Sequence, residues 1–456
     1  MKFLHVADIH LGCRRYNLDE RMKDFARAWL DVIQTHAIQN KVDFVLIAGD
    51  FFNARKVEPE AMNHAIAGLE LLREAGIPVV AIEGNHDQRD LISDYSWMRS
   101  LSRWGYLKLL EPAHDEEGHL ALIPWDEEEG RGSYLDIAGA RIFGTHWYGT
   151  SANAAIPLLA DALRRARGED RFNILLLHTD VEGQLSRPNI PALSLDTMKK
   201  LQSLVDYLAL GHTHKRFEID NWAFNPGSLE ACSIDEYREE RGLYLVEVDD
   251  ERRIRAQHLR DYIQRPFQRL SFDVSGVESP DAVYEGVLET VRREARARVA
   301  EDGNDTPAPI IEINLRGHLG FKNSLLDIAR IRADAREQTG ALHVMITNRS
   351  IPVEYAVAAG LDADASRQVR ERRIIEDLIA RDNRYKTHAH EMAQLVLDAK
   401  RLALSDEAPE EILKTIEDHL TKHGLAQALE SSAAPNEPEL IASTAALGAL
   451  ERNATT

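Results

Sequence analysis

The chain has 456 residues, 44% of them hydrophobic and 29% charged, with a formal net charge of −20. That length suits two or three domains with ample core, and no apolar run approaches the roughly 20 residues needed to cross a bilayer. The acidic balance excludes a generally basic nucleic-acid coat, although a local basic stripe or bound metal ions can still seat a phosphate.

The chain opens on FLHVADIH, in which Asp8 and His10 interrupt any signal-like apolar stretch. A secretory signal is therefore not expected, and a cytoplasmic location is. Cys13 and Cys232 are the two cysteines and form no CxxC pair, so they read as incidental thiols in a reducing compartment. Met22 to Gln39 carries Phe25, Trp29, Val32 and Ile33 at helical spacing, and the strand VDFVLIAGD follows. Pro59 to Ala75 reads as a helix with proline in its first turn and Gly76 closing it. Further short Val/Ile/Leu-rich runs, PVVAIEGNHD, RIFGTHWYG, FNILLLHTD, VDYLALGHTH and GLYLVEVD, read as strands. Strand and helix in alternation predict a layered α/β architecture, a β-sheet core flanked by helices over residues 1–262.

From residue 263 the rhythm changes. Strands at Leu270 to Val274, Ile310 to Leu315 and Leu342 to Thr347, with a helix started by Ser279-Pro280-Asp281, predict a small α/β capping domain over 263–360. Residues 361–430 read as a helical region. Ile374, Ile375, Leu378 and Ile379 share one face, Met392, Leu395 and Val396 another, and Ile412, Leu413, Ile416 and Leu420 a third, with Gly424 placed to end the last helix. Such faces either fold back on the body or dock on a partner. The Ala/Ser/Thr-rich tail over 431–456 is expected to lack fixed structure.

Five of the apolar runs end in polar side chains able to hold a metal: Asp8 and His10, Asp50, Asn85 and His86, His178, then His212 and His214. Runs that are apolar throughout belong to strands covered on both faces. Ligands of open α/β sheets bind beyond the carboxyl ends of the strands, so these side chains are expected at one edge. The two-residue spacing in Asp8/His10 and His212/His214 puts each pair on one side of an extended segment. The donors are oxygen and nitrogen without thiolate, a set that suits manganese, iron or zinc better than calcium. Asp50, the lone acid between the first pair and GNHD, is the natural bridge between two ions. Gly49, Gly84 and Gly211 precede ligand segments, where the backbone turns sharply. His5, three residues before Asp8, faces the other side and takes a core or supporting place. His146 reads as a packed histidine or a substrate contact.

The set DIHLG, GDFF, GNHD, LLLH and GHTH resembles the calcineurin-like metallophosphoesterases. The opening MKFLHVADIHLG, with a small α/β domain and helices after it, is similar to the SbcD or Mre-eleven nucleases of double-strand-break repair. The motifs cover residues 1 to about 230; beyond 265 the agreement is architectural. The resemblance implies one metal held by Asp8, His10, Asp50 and His214 and a second by Asp50, Asn85, His178 and His212. The ions implied are two Mn2+, with Fe2+ or Zn2+ as substitutes. His86 is implied as a proton donor beside the metals, oriented by Asp87. It further implies DNA as substrate, an SbcC-type coiled-coil ATPase bound through the C-terminal helices, a homodimer, and no membrane association. A phosphatase or cyclic-nucleotide phosphodiesterase, or an inactive interaction module, are the competing expectations.

Many members of that family carry a histidine directly after the GD-Leu-Phe segment, where this chain has Asn53. That departure bears on 3′–5′ exonuclease activity more than on endonuclease activity or metal binding. Arg14 and Arg15 follow the first motif and could reach a phosphate backbone, as could Arg292, Arg293, Arg296 and Arg298, although a solvated helix face is the more common explanation of the latter run.

Overall fold

The computed structural model describes residues 1–90, 95–184, 192–301, 307–351, 366–380, 385–405 and 407–422, with the side chains of 296–301 left out. The expected tail, Gly424, and the side chains of Arg296 and Arg298 lie outside the described residues.

The runs that are apolar throughout become strands buried throughout. Phe44–Ala48 and Phe172–His178 have every residue buried, as strands in the middle of covered sheets require. Two six-stranded sheets result. The first runs, in spatial order, Ile254–Leu259, Leu243–Val248, Lys2–Val6, Phe44–Ala48, Val79–Ile82 and Lys108–Leu109. The second runs Phe217–Ile219, Ala223–Asn225, Tyr207–Gly211, Phe172–His178, Ala140–Phe143 and Tyr134–Ile137. Their inner faces share a core of Phe3, Phe44, Leu46, Ile174, Leu176 and Tyr207 among others. Phe3 stacks on Phe44 at 5.0 Å and meets Tyr207 edge-on at 5.2 Å. Large rings filling that layer each contribute on the order of 1.5–3 kcal/mol by burial.

Helices cover the outer faces. Asp19–Val32 and Pro59–Glu74 lie over the first sheet through Phe25, Trp29, Leu69 and Leu72. Ala152–Ala166 covers the second through Ile156, Leu159 and Leu163. The first helix passes at Ile33–Ile38 into a wider turn, so the single helix expected to Gln39 changes pitch midway. The order helix, sheet, sheet, helix is the layered β-sheet core flanked by helices that the alternation predicted.

Lys2–Val6, Phe44–Ala48 and Val79–Ile82 are mutually parallel, as are Phe172–His178 and Tyr207–Gly211. Their carboxyl ends therefore gather the five polar strand ends.

Compactness divides the chain into two units. The first comprises Met1–Phe272, Val283–Leu315 and Asp327–Asn348, the second Asp273–Ala282, Arg316–Leu326 and Arg349–Thr456. Strands Phe267–Asp273, Ile310–Arg316 and His343–Asn348 form a three-stranded sheet, the last two parallel, with helix Ile328–Thr339 between them in sequence. Within the first unit, Arg265 forks onto Asp24 at 2.6 and 2.7 Å, and the fully buried Arg21 reaches the same carboxylate at 2.6 Å. Removing one partner of such a buried set strands a charge, at a cost of roughly 3–5 kcal/mol. The second unit holds helices Arg367–Ile379, Ala389–Leu404 and Pro409–Lys422. Among the described residues no helix is long and apolar enough to cross a membrane.

Candidate metal centre

Asp8, His10, Asp50 and His212 all take left-handed backbone angles, with φ of 51°, 50°, 51° and 89°. For residues with a Cβ this conformation costs of order 1 kcal/mol or more each, and it concentrates where side chains must be aimed. Gly49 and Gly84 show why the neighbouring glycines are needed. A Cβ on Gly84 would overlap the Asp50 carboxylate, and one on Gly49 would overlap the His178 ring.

Asp50 stands at the centre. Its Oδ2 lies 3.2 Å from His178 Nε2, and that nitrogen is also 3.2 Å from Asn85 Oδ1 and 3.2 Å from His212 Nδ1. Donors about 2.0–2.2 Å from one ion are separated by about 3.0–3.5 Å, so this group has the spacing of a single metal position. On the other side, His10 Nε2 is 3.0 Å from His214 Nε2 and 3.9 Å from Asp50 Oδ2. Asp50 thus belongs to a donor group with His10 and His86 and to another with His178 and His212. Asp8 is less direct: both its oxygens accept the His212 backbone N–H, at 3.1 and 3.0 Å.

Supporting contacts fix which nitrogens face inward. His178 Nδ1 donates to the Ala48 carbonyl at 2.8 Å, so Nε2 is the nitrogen that faces Asp50. His214 Nδ1 meets Glu236 Oε1 at 2.9 Å, leaving Nε2 toward His10. His212 Nε2 lies 3.4 Å from Asp180 Oδ2. Asp180 and Glu236 were missed in the sequence. Asp180 had a local signal, two residues after His178 in LLLHTD, and Glu236 had none.

The electrostatics suit cations. Burial, then the nearby His214, holds His10 down to about 3, so its imidazole is a neutral donor at ordinary pH. Burial alone would lower His178, but the Asp50 charge and hydrogen bond raise it to about 9. Burial pushes Asp8 up. Burial also opposes ionisation of Glu236, yet its bond to His214 and the Arg241 charge keep the carboxyl at about 2. His10 Nδ1 is buried with no hydrogen-bond partner among the described residues. The neutral His10 imidazole, and the Asp50 charge that draws a proton onto His178, suit a cluster that would exchange that proton for divalent metal ions.

His86 lies beside this cluster. Its backbone N–H donates to Asp50 Oδ1 at 2.8 Å, and its Nδ1 lies 2.8 Å from the Asn53 carbonyl. The expectation that Asp87 orients His86 is corrected here. The buried Asp87 carboxylate accepts the N–H groups of Phe51, Phe52 and Gly84 at 2.6, 3.2 and 2.8 Å, so it braces the two strand ends. Burial and the Asp50 charge push that carboxyl up to about 7. The backbone of Asn53 does the orienting that was expected of Asp87.

Arg14, Arg15 and Asn53 line the same cavity as His10, His86 and His214, with a volume of about 780 Å³. Arg14 is already engaged there by Glu58 at 3.0 Å, with Asp19 at 3.5 Å and Glu60 at 3.8 Å, while Arg15 lies over the Tyr16 ring. His5 is fully buried between the Tyr207 hydroxyl and the Leu210 carbonyl, at 3.0 and 3.1 Å, a supporting place under the GHTH segment. Arg292 pairs with Glu289, and Arg293 with Glu294, as on a solvated helix face. The two cysteines, far apart in sequence, share the cavity wall. Cys232 Sγ also lies within 4.8 Å of His10 and His214 ring nitrogens.

Two groups of side chains able to hold a metal ion thus share Asp50 at the carboxyl ends of the parallel strands. Residues 1–216 match the calcineurin-like phosphoesterase family. A DNA double-strand break repair protein Mre11 from Archaeoglobus fulgidus is 34% identical over 253 residues, covering 53% of this chain and 54% of that protein. A protein of the same name from Aeropyrum pernix is 26% identical over 367 residues, covering 79% and 81%. The uncharacterized metallophosphoesterase YhaO of Bacillus subtilis is 27% identical over 305 residues, covering 64% and 67%. The chain spans about half the length of the Archaeoglobus relative. Over residues 1–216 the chain is thus similar to the calcineurin-like phosphoesterases, and it shares longer stretches with archaeal proteins named Mre11.

Proposed function

We propose that this chain is a metal-dependent DNA nuclease that hydrolyses phosphodiester bonds in double-strand-break repair. The observation that carries the reading is Asp50, whose carboxylate belongs to two donor groups at once. His10, His214 and Asp50, with Asp8 nearby, would hold one ion; Asp50, Asn85, His178 and His212 would hold the other. Manganese is the proposed metal, with iron or zinc as substitutes. Two such ions supply the Lewis-acid charge that phosphodiester hydrolysis requires.

The protein groups do the rest. With Nδ1 held by the Asn53 carbonyl, His86 keeps Nε2 free to give a proton to the departing sugar oxygen. Arg15, on the cavity wall, offers charge to a flanking phosphate. Asn53 replaces the family histidine, so endonuclease activity is proposed ahead of 3′–5′ exonuclease activity.

Residues 263–360 are proposed as the capping, DNA-binding part and 361–430 as the partner-binding part. In the second unit Ile374, Leu378, Val396 and Leu413 are exposed, which supports docking of an SbcC-type ATPase on these helices. A homodimer in the cytoplasm completes the reading.

Purified full-length protein with manganese, offered single-stranded DNA, hairpin DNA and a phosphomonoester, tests it. Cleavage of either DNA is expected; hydrolysis of the monoester alone would overturn the nuclease reading.

A further inference from the structure

The two cysteines, unremarkable in sequence, are built into one wall of the metal centre. The Cys232 backbone N–H donates to Glu236 Oε2 at 2.9 Å, while Oε1 of the same carboxylate holds His214 Nδ1 at 2.9 Å. One side chain therefore sets the positions of both Cys232 and His214. Arg241 in turn lies 3.2 Å from Glu236 Oε2, which steadies that carboxylate. Cys13 sits in the turn after the first motif, its N–H on the His10 carbonyl at 3.1 Å, and lines the same cavity wall as Cys232.

The result is a compact group of Cys232 Sγ and ring nitrogens of His10 and His214, all within 4.8 Å of one another. Its composition differs from that of the other half of the centre, where Asp50 and Asn85 supply oxygen beside His178 and His212. Two imidazoles and a thiolate with one open position make a tetrahedral set suited to zinc and other thiophilic ions, whereas manganese favours oxygen-rich surroundings. His10 is 1% exposed, and its Nε2 lies 3.0 Å from His214 Nε2, so the two imidazoles already converge on one point.

We propose that Cys232, His10 and His214 form a binding site for a thiophilic divalent cation, zinc or cadmium, that shares its two histidines with the phosphoesterase centre. The inference rests on reading His10 and His214 as metal ligands. Binding forms a metal–sulfur bond and releases the Cys232 thiol proton to solvent. Cys13 lines the same wall but lies outside this group and is not a ligand. Because His10 also belongs to the group with Asp50 and His86, an ion held by Cys232 competes for that imidazole with an ion held by Asp50.

The test is a titration of the full-length, metal-stripped chain with cadmium ions alone, in a phosphine reductant, followed by near-ultraviolet absorbance. One equivalent is expected to develop a thiolate-to-cadmium band. Cys232→Ser should abolish the band, Cys13→Ser should keep it, and His214→Ala should weaken cadmium binding by about tenfold or more. Absence of the band in the wild type, or its survival in Cys232→Ser, overturns the proposal. X-ray absorption of the wild-type chain loaded with one zinc needs no variant to fold: one sulfur at about 2.3 Å is expected, and a shell of nitrogen and oxygen alone overturns it. A thiolate band without manganese-dependent DNA cleavage would sink only the nuclease reading. Cleavage without the band would sink only this site.

Discussion

Asp50 accepts the backbone N–H of His86 through Oδ1 at 2.8 Å while its Oδ2 faces His178 at 3.2 Å. The proposed bridge between metals therefore also fixes the segment that carries the proposed proton donor. Asp50→Asn keeps an acceptor for His86 but removes the charge. Manganese stoichiometry is expected to fall below two ions per chain, with turnover down by about a thousandfold or more. Two ions bound at wild-type affinity would remove Asp50 from the bridging role.

His86 touches the Asn53 carbonyl and the Asp50 carboxylate through different atoms, so the ring can be deleted without disturbing the backbone bond. His86→Ala should bind manganese as the wild type does and lose roughly a hundred- to ten-thousandfold in turnover, the usual range for a lost general acid. Hydrolysis at the wild-type rate would show that the proton comes from elsewhere.

Glu236 presents His214 in the tautomer whose Nε2 faces His10. In Glu236→Gln the amide competes for that arrangement, and manganese affinity should drop by about 10- to 100-fold with the circular dichroism spectrum unchanged. Against burial, the bond to His214 holds the Glu236 carboxyl at about 2, below its ordinary 4.5. Its contribution to stability is thus complete above pH 4.5 and disappears as pH falls toward 2. The variant should be less sensitive to acid in that window by equilibrium unfolding.

His5 is buried, and burial, only partly offset by the Leu210 carbonyl, lowers its pKa to about 3 from 6.5. The unfolded chain takes up a proton there below pH 6.5 that the folded chain refuses. Its contribution is thus whole above pH 6.5 and falls away between 6.5 and 3. His5→Gln keeps a donor for the Leu210 carbonyl and does not titrate. In chelator, its stability difference between pH 7 and pH 5 should be smaller than that of the wild type by about 2 kcal/mol. Equal differences in denaturant titrations would show that His5 does not contribute to acid sensitivity.

Much of the layered core was legible because its signals are local. Phe44–Ala48 and Phe172–His178 are apolar at every position, a pattern that only a doubly covered strand satisfies. The helix Pro59–Glu74 ends one residue before its expected limit, since proline and glycine act on their own backbone. The wider turn at Ile33–Ile38 left no such mark, because apolar spacing alone does not distinguish it from a regular helix.

What the sequence by itself determined is the order of strands and the polar residue at each strand end, because both depend on neighbours a few positions away. What only the tertiary structure decided is where those side chains point and what they touch. Asp87 turns to backbone N–H groups instead of His86. Glu236 and Asp180 back two of the histidines, and Cys13 and Cys232 line one cavity wall with His10. Each of these contacts joins segments distant along the chain, or depends on a side-chain direction that residue spacing does not encode. They arise when parallel strands of two sheets bring their carboxyl ends to one edge.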